Sequence, residues 1–140
     1  MSAILYVFWL AAMAWSMLLY YWVVSMALGV ALLVASALKF PFLRSRFESR
    51  HLLVFLPLVV TLLILVWGSI MRHEDSQRLA PAWPGHVITA LLVIQILTGI
   101  GVVWLLKGYR WFSLAAVLLE QWVGLACAFT AGMSVTGDWL

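Results

Sequence analysis

Charge and apolarity alternate along this chain in long blocks. Residues 1–38 contain no Asp, Glu, Lys or Arg. Lys39, Arg44, Arg46, Glu48 and Arg50 then crowd into twelve positions. An apolar stretch follows at 52–71, and Arg72, His73, Glu74, Asp75 and Arg78 form a second polar segment with Pro81 and Pro84 behind it. Residues 87–106 are apolar again, Lys107-Gly108-Tyr109-Arg110 is a tight connection, and 111–133 form the last apolar stretch, interrupted by Glu120 and Gln121. Spanning the hydrocarbon of a bilayer takes about 20 apolar residues as a helix. A lone strand in lipid would leave its backbone polar groups unpaired. The polar/apolar alternation of a membrane barrel is also missing. The pattern therefore predicts an all-α integral membrane protein. It is a single transmembrane domain over 1–140, a bundle of four or five helices with short loops.

The helix count turns on the first segment. As one helix, 38 residues at ~1.5 Å each run to about 57 Å, against a hydrocarbon core of about 30 Å. Two readings fit. Residues 2–19 and 23–38 form two short spans that turn at Tyr20-Tyr21-Trp22, aromatic residues that favour the membrane interface. Alternatively, 2–38 form one long tilted helix that leaves the membrane and is sheathed by another protein. No Gly, Pro, Asn or Asp supplies turn chemistry at Tyr20-Tyr21-Trp22. Pro57, early in its span, predicts either a kink or a first helical turn.

Orientation follows from the basic residues. Loop 39–50 carries four Lys/Arg and 107–110 two; loop 72–86 carries two, balanced by two acids. The positive-inside bias places 39–50 and 107–110 in the cytoplasm of a multi-pass inner (plasma) membrane protein, with the C-terminus outside. The N-terminus is inside with five spans and outside with four. Lys39, Arg44, Arg46 and Arg50 are expected to meet lipid headgroups, each contributing about 1 kcal/mol beside an anionic leaflet.

Composition agrees. Hydrophobic residues make up 66% of the chain and charged residues 9%, against about 25% charged in soluble domains. A single cysteine, Cys127, excludes an internal disulfide and a Cys-based zinc site. The net charge of +3 comes from residues beside the bilayer, so no nucleic-acid partner is expected. The partners are the lipid bilayer and either other membrane subunits or further copies of the chain. No hydrolase, metalloprotease or nucleotide-binding signature is present, and no catalytic residue is assigned.

Membrane helices associate through small residues that let backbones approach. Ser113, Ala116, Glu120, Gly124, Ala128 and Ala131 recur every three or four residues and share a helical face. Ala27, Ala31 and Ala35, around Gly29, repeat the pattern, and Gly99 and Gly101 are expected to serve the same purpose.

Glu120 is the residue that invites a functional reading. It lies near the middle of its span, where an ionisable group is a functional hypothesis by default. Arg110 is ten residues away, about 15 Å along the axis, and every other cation is also at a membrane surface. Glu120 therefore either carries its proton or meets a cation from a partner. A neutral Glu120 is expected to hydrogen-bond Gln95, Thr98 or Gln121, with Gln95 at comparable depth on the antiparallel neighbour. His73 and His86 flank loop 72–86 on one membrane side, so that pair alone suits haem or quinone binding; with Glu74 and Asp75 it also suits a metal. No cofactor is assigned.

Three functions remain. The first is a non-catalytic accessory or assembly subunit of a larger membrane complex. The second is a proton- or cation-coupled transporter or channel acting through Glu120. The third is a haem- or quinone-binding membrane anchor.

Overall fold

The computed structural model describes residues 3–45, 49–73 and 81–137. Among them all regular structure is helical. α1 spans Ala3–Tyr20, α2 Trp22–Ser45, α3 Leu56–Ile70, α4 Trp83–Leu105 and α5 Arg110–Thr136; short 3-10 segments cover Ser49–Phe55 and Lys107–Tyr109. Four stretches are long and apolar enough to cross a membrane: Ala3–Tyr20, Leu52–Ile70, Trp83–Leu105 and Arg110–Thr136. Basic residues Arg44, Arg46 and Arg50, with Lys39, have side chains outside the described part of the structure.

Local chemistry sets the helix ends. Pro57 and Pro84 sit in the first turns of α3 and α4, where a missing N–H removes no intrahelical bond. Pro57 therefore starts its helix and does not kink it. α5 stops at Gly137, which takes φ 75° and donates its N–H to the Met133 carbonyl. Only glycine adopts that left-handed conformation without penalty.

α5 is the centre of the bundle and packs against all four other helices. All six residues of its small-residue face are buried: Ser113, Ala116, Glu120, Gly124, Ala128 and Ala131. The closest approach is to α3. A Cβ placed on Gly68 would lie 2.6 Å from the Ala131 Cβ and 2.9 Å from its Cα. One end of the bundle is tied by Ser134. Its hydroxyl donates to the Gly68 carbonyl (2.9 Å) and is hydrogen-bonded to Tyr6 Oη (3.2 Å), while its carbonyl accepts the His73 N–H (2.9 Å). Arg72 lies over the Tyr6 ring, 5.0 Å from its centroid. At the opposite end Val54, Val102, Leu106, Ala116 and Val117 form one buried cluster, with Leu32 packed against it.

This arrangement decides how α1 and α2 run. Tyr6 is at the Ser134 end, Tyr21 packs edge-on against Trp122 near the middle of α5 (6.1 Å, 84°), and Leu32 is at the far end. The chain breaks at Tyr21 but does not double back there. α1 and α2 follow α5 head to tail, and the break sits halfway along the bundle rather than at one of its ends. The broken turn is repaired by a side chain. Ser25 Oγ donates to the Leu18 carbonyl (2.9 Å) and accepts the indole N–H of Trp122 (3.0 Å). Inside a membrane, freed backbone groups are tolerated where a serine or threonine satisfies them.

Two small-residue expectations change. Ala27 and Ala31 are exposed; α2 turns Ser25, Leu28, Leu32 and Ala35 towards the bundle instead. Gly101 has nothing near it, whereas Gly99 is tightly packed. Small residues are equally at home facing lipid, so spacing alone does not choose the packed face. Outward surfaces are strongly apolar, with Phe8, Leu33, Leu97, Ile100 and Trp104 all more than 60% exposed. Patches on that scale mark a surface meant for lipid or protein and not water.

Candidate intrabundle polar site

The tight connection at Lys107–Tyr109 folds α4 back along α5 and fixes their register. That register brings two glutamines to the shared interface. Gln95 is wholly buried, at 0% exposure. Its Nε2 donates to the main-chain carbonyl of Glu120 (3.2 Å). In the reverse direction, Gln121 Nε2 donates to the main-chain carbonyl of Gln95 (2.9 Å). Thr98 Oγ1 donates to the same Gln95 carbonyl (2.8 Å).

Glycines make room for both amides. A Cβ on Gly124 would overlap the Gln95 amide itself. A Cβ on Gly99 would lie 2.9 Å from Gln121 Nε2 and 2.7 Å from Val117 Cγ1. Each helix therefore lays a glutamine across a glycine of the other. The arrangement is reciprocal: Gln95 over Gly124, Gln121 over Gly99. Between membrane helices such hydrogen bonds contribute about 0.6 kcal/mol on average and up to about 1.7, and the two glycines add close packing to them.

Glu120 is buried, at 7% exposure. The sequence-based expectation paired its carboxyl with Gln95, Thr98 or Gln121. The structure instead directs all three of those donors to main-chain carbonyls, one of them Glu120's own. Glu120 Oε2 and Gln95 Oε1 are both buried without a hydrogen-bond partner among the described residues. Four residues singled out from the sequence thus lie in one interface, but the bonds run through the backbone. Backbone acceptors carry no residue-type signal. The reciprocity did have a trace in the sequence, in the Gln95…Gly99 and Gln121…Gly124 spacings on antiparallel neighbours.

The histidines form no comparable site. His73 is tied to α5 by its backbone N–H, and its ring packs 3.4 Å from where a Cβ of Gly137 would stand. His86 is exposed in the first turn of α4. Glu74 and Asp75 lie outside the described residues. Among the described residues no group of three or more His, Cys, Asp or Glu gathers to hold a metal ion. Two polar contacts that no local pattern in the sequence announces, Ser25–Trp122 and Tyr6–Ser134, join residues 97 and 128 positions apart. Compared with protein-family models, with curated proteins and with solved structures, the chain matches none of them.

Proposed function

We propose that this chain is a four-crossing protein of the inner (plasma) membrane that serves as a non-catalytic accessory or assembly subunit of a larger membrane complex. In this reading α1 and α2 together make one crossing, and α3, α4 and α5 the other three. Loops 39–50 and 107–110 face the cytoplasm, by their excess of Lys and Arg. Both termini face outside. One observation carries the functional part. The amide and hydroxyl donors at the heart of the bundle, on Gln95, Thr98 and Gln121, are spent on carbonyls of α4 and α5. Those of Gln95 and Gln121 reach across to the facing helix and tie α4 to α5, as a structural contact does. The test is native mass spectrometry of the protein extracted from its own membrane in mild detergent. Stoichiometric foreign subunits are expected; a homo-oligomer without them contradicts the reading.

A proton- or cation-coupled transporter is the second reading, favoured by the two unpartnered oxygens, Glu120 Oε2 and Gln95 Oε1. Substitution of Glu120 separates the two. The Gln95 amide bonds the Glu120 main chain, which no side-chain change removes. Glu120→Gln and Glu120→Ala should therefore both keep the α4–α5 clamp, with stability changes within about 1 kcal/mol. A subunit held through the clamp assembles normally in both variants. A transporter assembles normally but loses pH-dependent uptake into proteoliposomes in both. Loss of assembly in both means instead that a partner's cation meets Glu120, since breaking a buried pair costs about 3–5 kcal/mol.

A further inference from the structure

A groove on the outside of the bundle, between α4 and α5, runs up to the Gln121–Gly99 half of the clamp. It encloses about 520 Å³ and is walled by Ile96, Ile100 and Trp104 from α4 and by Leu114 and Leu118 from α5, with Arg110 in its lining at one end. Ile100 and Trp104 are more than 60% exposed, so the groove opens away from the bundle. We propose that it is a binding site for one anionic phospholipid, with the phosphate on the Arg110 guanidinium and an acyl chain lying along the groove over Ile100 and Leu118. The proposal rests on the membrane reading above.

Three features select this occupant. The first is length. The groove reaches from Arg110 to Gln121, eleven residues or about 16 Å along α5, which is the depth of one leaflet of a core about 30 Å thick. A chain that enters at the surface and stops at the midplane has the shape of a lipid tail. The second is charge. Among the described residues, Arg110 is the one ionic side chain in the lining. A guanidinium presents paired N–H donors that match phosphate oxygens. Lys107 precedes it by three residues, and the start of α5 adds the partial positive charge of a helix N-terminus. The third is the flanking indole of Trp104, a side chain that favours the headgroup level. Apolar walls, a cation at the surface end and an indole beside it are complementary to an anionic lipid. A zwitterionic lipid brings its own cation to the same phosphate, and is expected to bind less well.

The test places the full chain in nanodiscs of phosphatidylcholine and adds increasing fractions of phosphatidylglycerol or phosphatidylcholine with brominated acyl chains, which quench nearby tryptophans. The difference between wild type and Trp104→Phe isolates the Trp104 signal. Brominated phosphatidylglycerol should quench Trp104 at about fivefold lower fraction than brominated phosphatidylcholine, the preference one basic residue gives beside an anionic headgroup. Arg110→Gln should abolish that preference, and Arg110→Lys, which keeps the charge but not the paired donors, should retain part of it. Equal quenching by the two lipids, or a preference that survives Arg110→Gln, overturns the proposal. A Trp104 shielded from both lipids also overturns it, and shows the groove filled by a second copy or another protein. If none of the nine tryptophans is quenched, the membrane reading itself fails.

Discussion

Gly68→Leu should be the most damaging single substitution in this chain. A Cβ at Gly68 meets the Ala131 Cβ at 2.6 Å and, more importantly, the Ala131 Cα at 2.9 Å. A side chain can turn aside, but a main-chain atom of the central helix moves only with the helix. Ser134 adds to the cost, because its hydroxyl bonds the Gly68 carbonyl at the same contact. Overpacking typically costs about 1–3 kcal/mol. Leucine at a backbone-to-backbone contact should reach the top of that range, and Gly68→Ala the lower part. Gly101→Leu is the control, since nothing lies within 4 Å of a Cβ there. Thermal unfolding of the detergent-solubilised variants measures the contrast. Equal stability of Gly68→Leu and Gly101→Leu would mean that α3 and α5 do not meet as described.

Gly124→Ala tests the other close contact, and its partner makes the test specific. The added methyl overlaps the Gln95 amide, so it should cost about 1–3 kcal/mol through overpacking and push Gln95 off the Glu120 carbonyl. Gln95→Ala alone should lose the interhelical bond, about 0.6–1.7 kcal/mol, together with the packing of its amide. When the two are combined, the methyl added by Gly124→Ala occupies space that the amide has vacated. The double variant should then be more stable than the two losses added together, by the coupling of about 0.5–3 kcal/mol seen for residues in contact. Simple additivity would show that Gln95 does not lie across Gly124.

The boundaries of the apolar helices were readable because charge marks them: Lys39 to Arg50, Arg72 to Arg78, and Lys107 with Arg110. That α4 and α5 face each other was readable too, since the few residues between Leu105 and Arg110 leave them no choice but an antiparallel pair. This register is what brings Gln95 level with Glu120. What was not readable has a common cause. The break at Tyr21 has no proline or glycine; its repair depends on Trp122, which lies 97 positions beyond the serine that caps it. The packed face of α2 follows Leu28, Leu32 and Ala35 and not the more regular Ala27–Ala31–Ala35 spacing. In a soluble helix the polar face betrays the other one; a helix bare of polar residues gives no such contrast. At the polar site, Gln95 and Gln121 choose backbone carbonyls over the Glu120 carboxyl, and every residue offers a carbonyl. Reading side-chain types therefore found the participants without their bonds.

In the proposed four-crossing membrane bundle, α1 and α2 make one broken crossing. Single cysteines at Ala3, Ser45 and Ser76, in a Cys127→Ala background, test it by reaction with a membrane-impermeant maleimide before and after permeabilising the cells. Four crossings put Ala3 and Ser76 on the outside, labelled in intact cells, and Ser45 on the inside, labelled only after permeabilisation. If Ala3 instead labels together with Ser45, the chain doubles back at Tyr21 and the bundle has five crossings. If all three label alike in intact cells, the chain does not cross the membrane as described.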